Sequence, residues 1–252
     1  TITAIKLDSL IKLPDTTIVS NFTIPAISYT MAPGASFPAL PPSPITFSIS
    51  NNAAIKTVII HKGVLHVKFM NSTRQPLEFT YVVPSATRNG DVFKITEVIP
   101  PFTGTANPYL KDYDMKGYTF NMKTGTMYNT ITQNYTVKNA GNDIDTVFFG
   151  KGVKTEISYS GIIPEYIDGY FGEHDISLPL DSTRLDILKS FESSNFMLSD
   201  ASLLFRIMNE FGCEFTGTFS NIKSINGNST VMLNTNQLSN LNINSATRVG
   251  SV

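Results

Sequence analysis

Leu65, Val67 and Phe69 alternate with His66 and Lys68, and Leu77, Phe79 and Tyr81 alternate with Glu78 and Thr80. A period of two sends successive side chains to opposite faces of a strand, so one set goes inward and the other toward solvent. That pattern requires sheets packed on one face. It also recurs. Leu203, Phe205 and Ile207 sit at alternate positions with Arg206 between the last two, and Met208-Asn209 then leads into Cys213-Glu214-Phe215-Thr216. The earlier stretch runs Met70-Asn71 into Leu77-Glu78-Phe79-Thr80. Each copy reads as a strand, an asparagine where the chain turns, and a returning strand with a glutamate on its outer face.

Composition agrees. Charged residues make up 15% of the 252-residue chain, while asparagine alone occurs 21 times. A charged fraction well under the usual quarter, with small polar residues in its place, suits twisted sheets and turns better than long solvated helices. The net charge of −1 leaves no basic stripe, which removes the electrostatic footprint of nucleic-acid binding. No apolar run approaches the length of a transmembrane helix. Cys213 is the only cysteine, so neither an internal disulfide nor a cysteine-based metal site is available.

Along the chain, residues 1–50 hold Pro14, Pro25, Pro33, Pro38, Pro41, Pro42 and Pro44. Proline is confined to strand edges, strand ends and turns. Strands are expected at Thr16–Thr23 and Ile45–Ser50, joined by an extended stretch from Pro33 to Pro44. The next strands are expected at Lys56–His61, Val64–Met70, Leu77–Val83, Phe93–Val98, Met115–Asn121, Tyr128–Val137, Thr146–Phe149 and Thr155–Tyr159. The punctuation between them includes Gly63 and Asn89-Gly90. A second composition begins near Gly161. It holds one helix, expected at 181–194 from the spacing of Leu185, Leu188 and Phe191 behind a cap at Asp181 or Ser182. The expected architecture is therefore mainly β. It comprises an extended Pro-rich segment over 1–50 that packs on the first module, a β-sandwich module over 51–160, and a second, incomplete one over 161–252.

The densest polar group is the run from Glu165 to Asp175. Glu165, Asp168, Glu173 and Asp175 are candidate calcium ligands, since calcium takes several oxygens in flexible geometry. Gly169 and Gly172 give the same run a purely structural reading as a tight turn. The pair Asp143 and Asp145 offers two further carboxylates, more simply read as a turn. His61 and His66 would approach each other only across a hairpin at Lys62-Gly63, and no third ligand accompanies them. No nucleophile elbow, phosphate loop, dinucleotide fingerprint or zinc-protease motif occurs. Cys213 occupies an apolar strand position and reads as an inert thiol. No catalytic residue and no cofactor is assigned. The chain has no tryptophan, so sugar stacking would fall to Tyr109, Tyr113, Tyr118 and Tyr128.

The repeated unit resembles the core hairpin of water-stress and late-embryogenesis type immunoglobulin-like domains, the LEA14/WHy group. The stretches that carry the resemblance are Gly63–Asn71 with Gln75-Pro76-Leu77, and Leu203–Asn209 with Phe211-Gly212. Neither copy has the Asn-Pro-Asn turn frequent in that group. The chain also resembles surface lipoproteins of gliding-type Gram-negative bacteria that string such sandwiches together. The resemblance implies two tandem immunoglobulin-like sandwiches and a non-catalytic role, with no functional residue to carry over. The expected function is that of an exported structural or adhesive protein. It would sit at the cell surface or outer membrane and act through contacts with other envelope proteins. A glycan- or lipid-binding module is the first alternative, and a hydrolase using the carboxylates of 165–175 the second.

Overall fold

The computed structural model describes residues 11–23, 28–37, 42–104, 108–177, 206–226, 229–232, 234 and 238–246. The expected helix at 181–194 and the strand residues Leu203 and Phe205 lie outside them. The chain divides into two units, 1–181 and 182–252.

The first unit is built on four long strands: β4 (Ala54–Asn71), β5 (Leu77–Arg88), β9 (Thr130–Asn139) and β11 (Gly152–Tyr170). The 18 residues of β4 span about 60 Å at ~3.3 Å per residue. On one side β4 pairs antiparallel with β11. On the other it pairs with β7 (Tyr109–Asp114) and β8 (Thr119–Asn121). Beyond β11 lies β1 (Thr16–Thr23), paired along its whole length. Across the core, β5 pairs with β6 (Asp91–Ile99) and with β9, and β9 pairs with β3 (Ser43–Thr46). The short β8 joins the two halves, because it pairs with β4 at Thr57–Ile59 and with β5 at Ala86 and Thr87. The sheet is therefore curled onto itself. The inward residues of β4 and β5 meet, with the Phe69 and Phe79 rings edge-on at 4.8 Å. Leu65, Phe69, Phe79 and Tyr81 are fully buried.

Strand character follows from the residues. β4 carries Ile55, Val58, Ile60, Leu65, Val67 and Phe69, mostly β-branched or aromatic, as pleated half-buried surfaces favour. The turn at Asn89-Gly90 has both residues at positive φ, 55° and 90°. This is the conformation that matches the twist of a two-residue hairpin.

Several expectations change. Val64–Met70 and Leu77–Val83 are not hydrogen-bonded to each other. They form an arch, since residues 72–76 carry the chain from one half of the curled sheet to the other. Lys56–His61 and Val64–Met70 are one strand. Gly63 does not turn the chain; it makes room for Ile162, whose Cδ1 occupies the place a Cβ would take, at an irregular stretch of β11. The proline-rich segment contributes strands directly. β2 (Ser28–Met31) pairs with β10 (Asp145–Phe148), and Gly34 and Phe37 donate backbone hydrogen bonds to β9. Residue 161 lies inside β11, which stays paired with β4 out to Tyr170.

In the second unit, β12 (Phe215–Gly217) pairs with β15 (Leu241–Ile243), and β13 (Lys223–Asn226) pairs with β14 (Ser229–Met232). The rest of the described part is turn and irregular chain.

Candidate functional site

Asn71 ends β4 with its side chain folded into the arch. Its Nδ2 donates to the carbonyls of Gln75 (2.9 Å) and Pro100 (3.1 Å), and its Oδ1 accepts from the Thr73 N–H (2.8 Å). Asn209 repeats the pattern in the second unit. Nδ2 donates to Cys213 O (2.7 Å) and Asn244 O (2.8 Å), and Phe211 N–H donates to Oδ1 (2.9 Å). Asn139 is a third case, which the sequence reading missed. Nδ2 donates to Asp143 O (2.9 Å) and Met31 O (3.1 Å), and Gly141 N–H donates to Oδ1 (2.8 Å). In all three the amide accepts from residue i+2, donates to residue i+4 and donates again to a distant segment. Its ending, Val137-Lys138-Asn139, differs from Phe69-Met70-Asn71 and Ile207-Met208-Asn209, so the repeated pattern did not mark it. These clamps satisfy backbone groups that an arch takes out of the ladder.

The outer face of β7, β4 and β11 carries the most organised polar surface. His66 Nδ1–H donates to Asp112 Oδ1 at 2.7 Å, and Nε2 shares a hydrogen bond with Ser160 Oγ at 2.9 Å. Lys68 pairs with Glu156 at 2.9 Å, and Lys154 approaches the same carboxylate at 3.5 Å. The Lys68 bond, ahead of the cost of desolvation, holds the Glu156 carboxyl below the usual range. Together these strands line a shallow, open depression of about 490 Å³. The serine–histidine–aspartate order is that of a nucleophile relay, which also needs amides aimed at a developing oxyanion. The Gly161 N–H beside Ser160 instead donates to Asp15 Oδ1 at 2.9 Å, and Ser160 itself is in register with Val64 in the ladder. The row is a cross-strand polar ladder on an exposed face.

Two further clusters use titratable groups. Glu97 on β6 receives Tyr113 Oη–H on one oxygen and Tyr109 Oη–H on the other, both at 2.7 Å. β6 and β7 belong to different halves of the curled sheet, so these bonds staple its two edges together. Desolvation pushes the Glu97 carboxyl upward, but the two phenols and the charge of Lys111 outweigh it and hold the group below the usual carboxylate range. Inside, Tyr81 Oη meets Tyr159 Oη at 2.8 Å and donates to Gln133 Oε1 at 3.1 Å. Burial raises both phenols well above the ordinary tyrosine range.

The sequence-nominated carboxylates are placed as follows. Asp168 pairs with Lys56 at 2.9 Å. Glu165, Glu173 and Asp175 are exposed. Among the described residues, no three His, Cys, Asp or Glu side chains are grouped to hold a metal ion. Asp145 turns inward and accepts the Arg74 N–H at 3.0 Å, so it anchors the first arch. His61 and His66 lie on one continuous strand and do not face each other. Tyr109 and Tyr113, considered as stacking platforms, have their hydroxyls on Glu97, while Tyr118 meets Phe93 edge-on and lies under Arg88. Cys213 is half-buried, and burial raises its thiol above the usual range, as an inert residue requires.

No family model matches the chain, and no curated protein matches it. Solved structures with some likeness are virus coat proteins. The infectious bursal disease virus VP2 subviral particle is 13% identical over 69% of this chain, with a TM-score of 0.22. Cowpea mosaic virus empty particles are 14% identical over 69% of this chain and 96% of theirs, with a TM-score of 0.24. Broad bean stain virus is 9% identical over 72% of this chain, with a TM-score of 0.24. The matched region spans half of the VP2 chain. At these TM-scores the likeness stops short of a shared fold, and no function follows from it.

Proposed function

We propose that the chain is a non-catalytic structural or adhesive module, exported to the cell surface or outer membrane, that acts through contacts with other envelope proteins. We read its two units as tandem immunoglobulin-like sandwiches. The observation that carries this reading is the use to which polar side chains are put. Lys56–Asp168, Lys138–Glu78 and Lys68–Glu156 cross between neighbouring strands, and Tyr109 and Tyr113 bind Glu97 across the two edges. The buried Tyr81–Tyr159–Gln133 group holds the halves together from inside. Groups that an enzyme would keep poised are here tied into the scaffold. The asparagine clamps at Asn71 and Asn209 make the same three kinds of bond in the two units, as expected of a repeated mechanical part.

The test is cross-linking on intact cells with an affinity-tagged full chain, followed by fractionation. Recovery in the envelope fraction with a specific protein partner supports the proposal. Recovery in the cytoplasm with no cross-linked partner sinks it.

A further inference from the structure

The hairpin of β5 and β6 turns on two residues, Asn89 and Gly90, and pairing resumes at once with Arg88 opposite Asp91. One side of the tip is held. Arg88 Nη1 donates to Lys116 O at 3.2 Å, and the guanidinium lies over the Tyr118 ring at 4.4 Å. On the returning side Asp91 and Val92 are exposed, as Asn89 and Gly90 are. Arg88–Asp91 and Thr87–Val92 are the last pairs before a register shift, beyond which the body of the hairpin begins at Val83–Phe93. Two residue pairs therefore close the tip, and it can open locally without unzipping the rest of the sheet.

The asparagine side chains of this unit differ in how they are engaged. Asn71 and Asn139 are the arch clamps described above. Asn129 is tied down as firmly, since its Oδ1 accepts from Ile55 N–H and its Nδ2 donates to Ala53 O, both at 2.7 Å. The Asn89 amide has no hydrogen-bond partner among the described residues. Its neighbour Gly90, at φ 90°, stands in open space, and a Cβ placed there would meet nothing within 4 Å. A free carboxamide beside an unshielded glycine nitrogen is the arrangement in which the backbone can attack its own side chain.

From this arrangement we infer that Asn89-Gly90 is a site of spontaneous covalent modification, at which the folded chain converts Asn89 to a mixture of aspartate and isoaspartate. The Gly90 nitrogen attacks Asn89 Cγ and forms a new C–N bond. The bond from Cγ to Nδ2 breaks, the Gly90 amide proton passes to the leaving nitrogen, and ammonia departs from a cyclic imide. Water then opens the ring. Attack at Cγ restores the main chain and gives aspartate. Attack at the main-chain carbonyl carbon breaks the original peptide bond, routes the chain through Cγ and gives isoaspartate. No electrons are exchanged, and water is the sole co-reactant. Either product adds a carboxylate beside Asp91. Isoaspartate also inserts a methylene into a turn whose twist suits the flanking strands only as a two-residue loop. The dipeptide recurs as Asn226-Gly227, where Gly227 lies outside the described residues. The inference does not depend on the function proposed above.

The test is to age the folded full chain at neutral and at mildly alkaline pH and to map its peptides by mass spectrometry, with the urea-unfolded chain as reference. The peptide carrying Asn89 is expected to gain the mass of an amide-to-acid exchange and to split into aspartate and isoaspartate forms. Conversion is expected to be faster at the higher pH, because the attacking nitrogen must shed its proton. It is expected to precede any change at Asn71 or Asn139. N89D supplies the marker for the aspartate form. N89G keeps a Gly-Gly turn that the hairpin accepts, so it removes the carboxamide and leaves the fold in place. It is expected to accumulate less isoaspartate than the parent. Any one of three results overturns the inference: Asn89 still an amide in the folded chain once the urea-unfolded chain has converted, Asn71 and Asn139 converting as fast as Asn89, or N89G gathering as much isoaspartate as the parent.

Discussion

Replacing Asn71 by alanine isolates what an arch clamp contributes. The side chain is 9% exposed, and its amide serves the Thr73 N–H and the carbonyls of Gln75 and Pro100. The Gln75 carbonyl keeps a second donor, because the Thr73 hydroxyl lies 3.0 Å away and can swing onto it. The Thr73 N–H and the Pro100 carbonyl have no such reserve in the arch. Thr73 is buried whereas Pro100 is exposed and its carbonyl can turn to water, so one buried group left unpaired at about 1–3 kcal/mol sets the loss. Asn71→Asp should be as harmful at neutral pH for a different reason. It keeps the acceptor for Thr73 but sets a carboxylate against two carbonyls, and acid relieves it because a protonated carboxyl can donate once. Urea unfolding followed by circular dichroism at the β-sheet band gives the stabilities directly. A loss below about 1 kcal/mol for Asn71→Ala would show that water or a rearranged loop satisfies the arch and would refute the clamp.

Tyr81→Phe leaves the buried Tyr159 hydroxyl and Gln133 Oε1 short of a partner, and is expected to cost about 1–3 kcal/mol by urea unfolding. Glu97 has a folded-state carboxyl held below its unfolded value. Its contribution is therefore complete above about pH 4.3 and is lost as pH falls through the folded value, and Glu97→Gln should flatten the acid limb of the stability curve. Tyr81 and Tyr159 have folded phenols raised by burial, and Tyr135 is raised to about 12 by the same cause. Stability from keeping these phenols protonated is full below about pH 10 and is lost as pH rises above it, so ultraviolet titration should show a delayed class of tyrosines that ionises with unfolding. Gly169→Ala, at φ 149° with Ala54 O only 2.5 Å from a new Cβ, should lower the melting temperature. Gly125→Ala, with open space around it, should lower it less, through its φ of 60° alone.

Much of the first unit was legible because periodicity records one-sided burial. Thr16–Thr23 was read to the residue, and Leu77, Phe79 and Tyr81 face the core as their alternation requires. Pairing partners were less legible, since alternation fixes which face a residue occupies and says nothing about which strand lies beside it. Leu65–Phe69 and Leu77–Tyr81 therefore read as a hairpin, although residues 72–76 between the two strands cross the core as an arch. Tyr109–Asp114 was passed over as loop because Lys111, Asp112 and Asp114 are charged and exposed, with Tyr109 and Tyr113 only half-buried. The His66–Asp112–Ser160 row was hidden for the same reason, as its members come from three strands far apart in sequence. The asparagines were legible as residues at a change of direction. Their use was not, because Asn71 remains a strand residue and acts through its amide instead of a left-handed backbone.

The layered arrangement of β4 and β5 underlies everything above, and nuclear Overhauser contacts in the folded protein test it most directly. The expected spectrum links the ring protons of Phe69 and Phe79. It also links the backbone of Leu65 to Tyr113 on one side and Tyr159 on the other, as the register of β4 requires. A ladder of backbone contacts between Val64–Met70 and Leu77–Val83 would make the two strands direct neighbours in one flat hairpin and contradict the arch, its clamps and the curled sheet together.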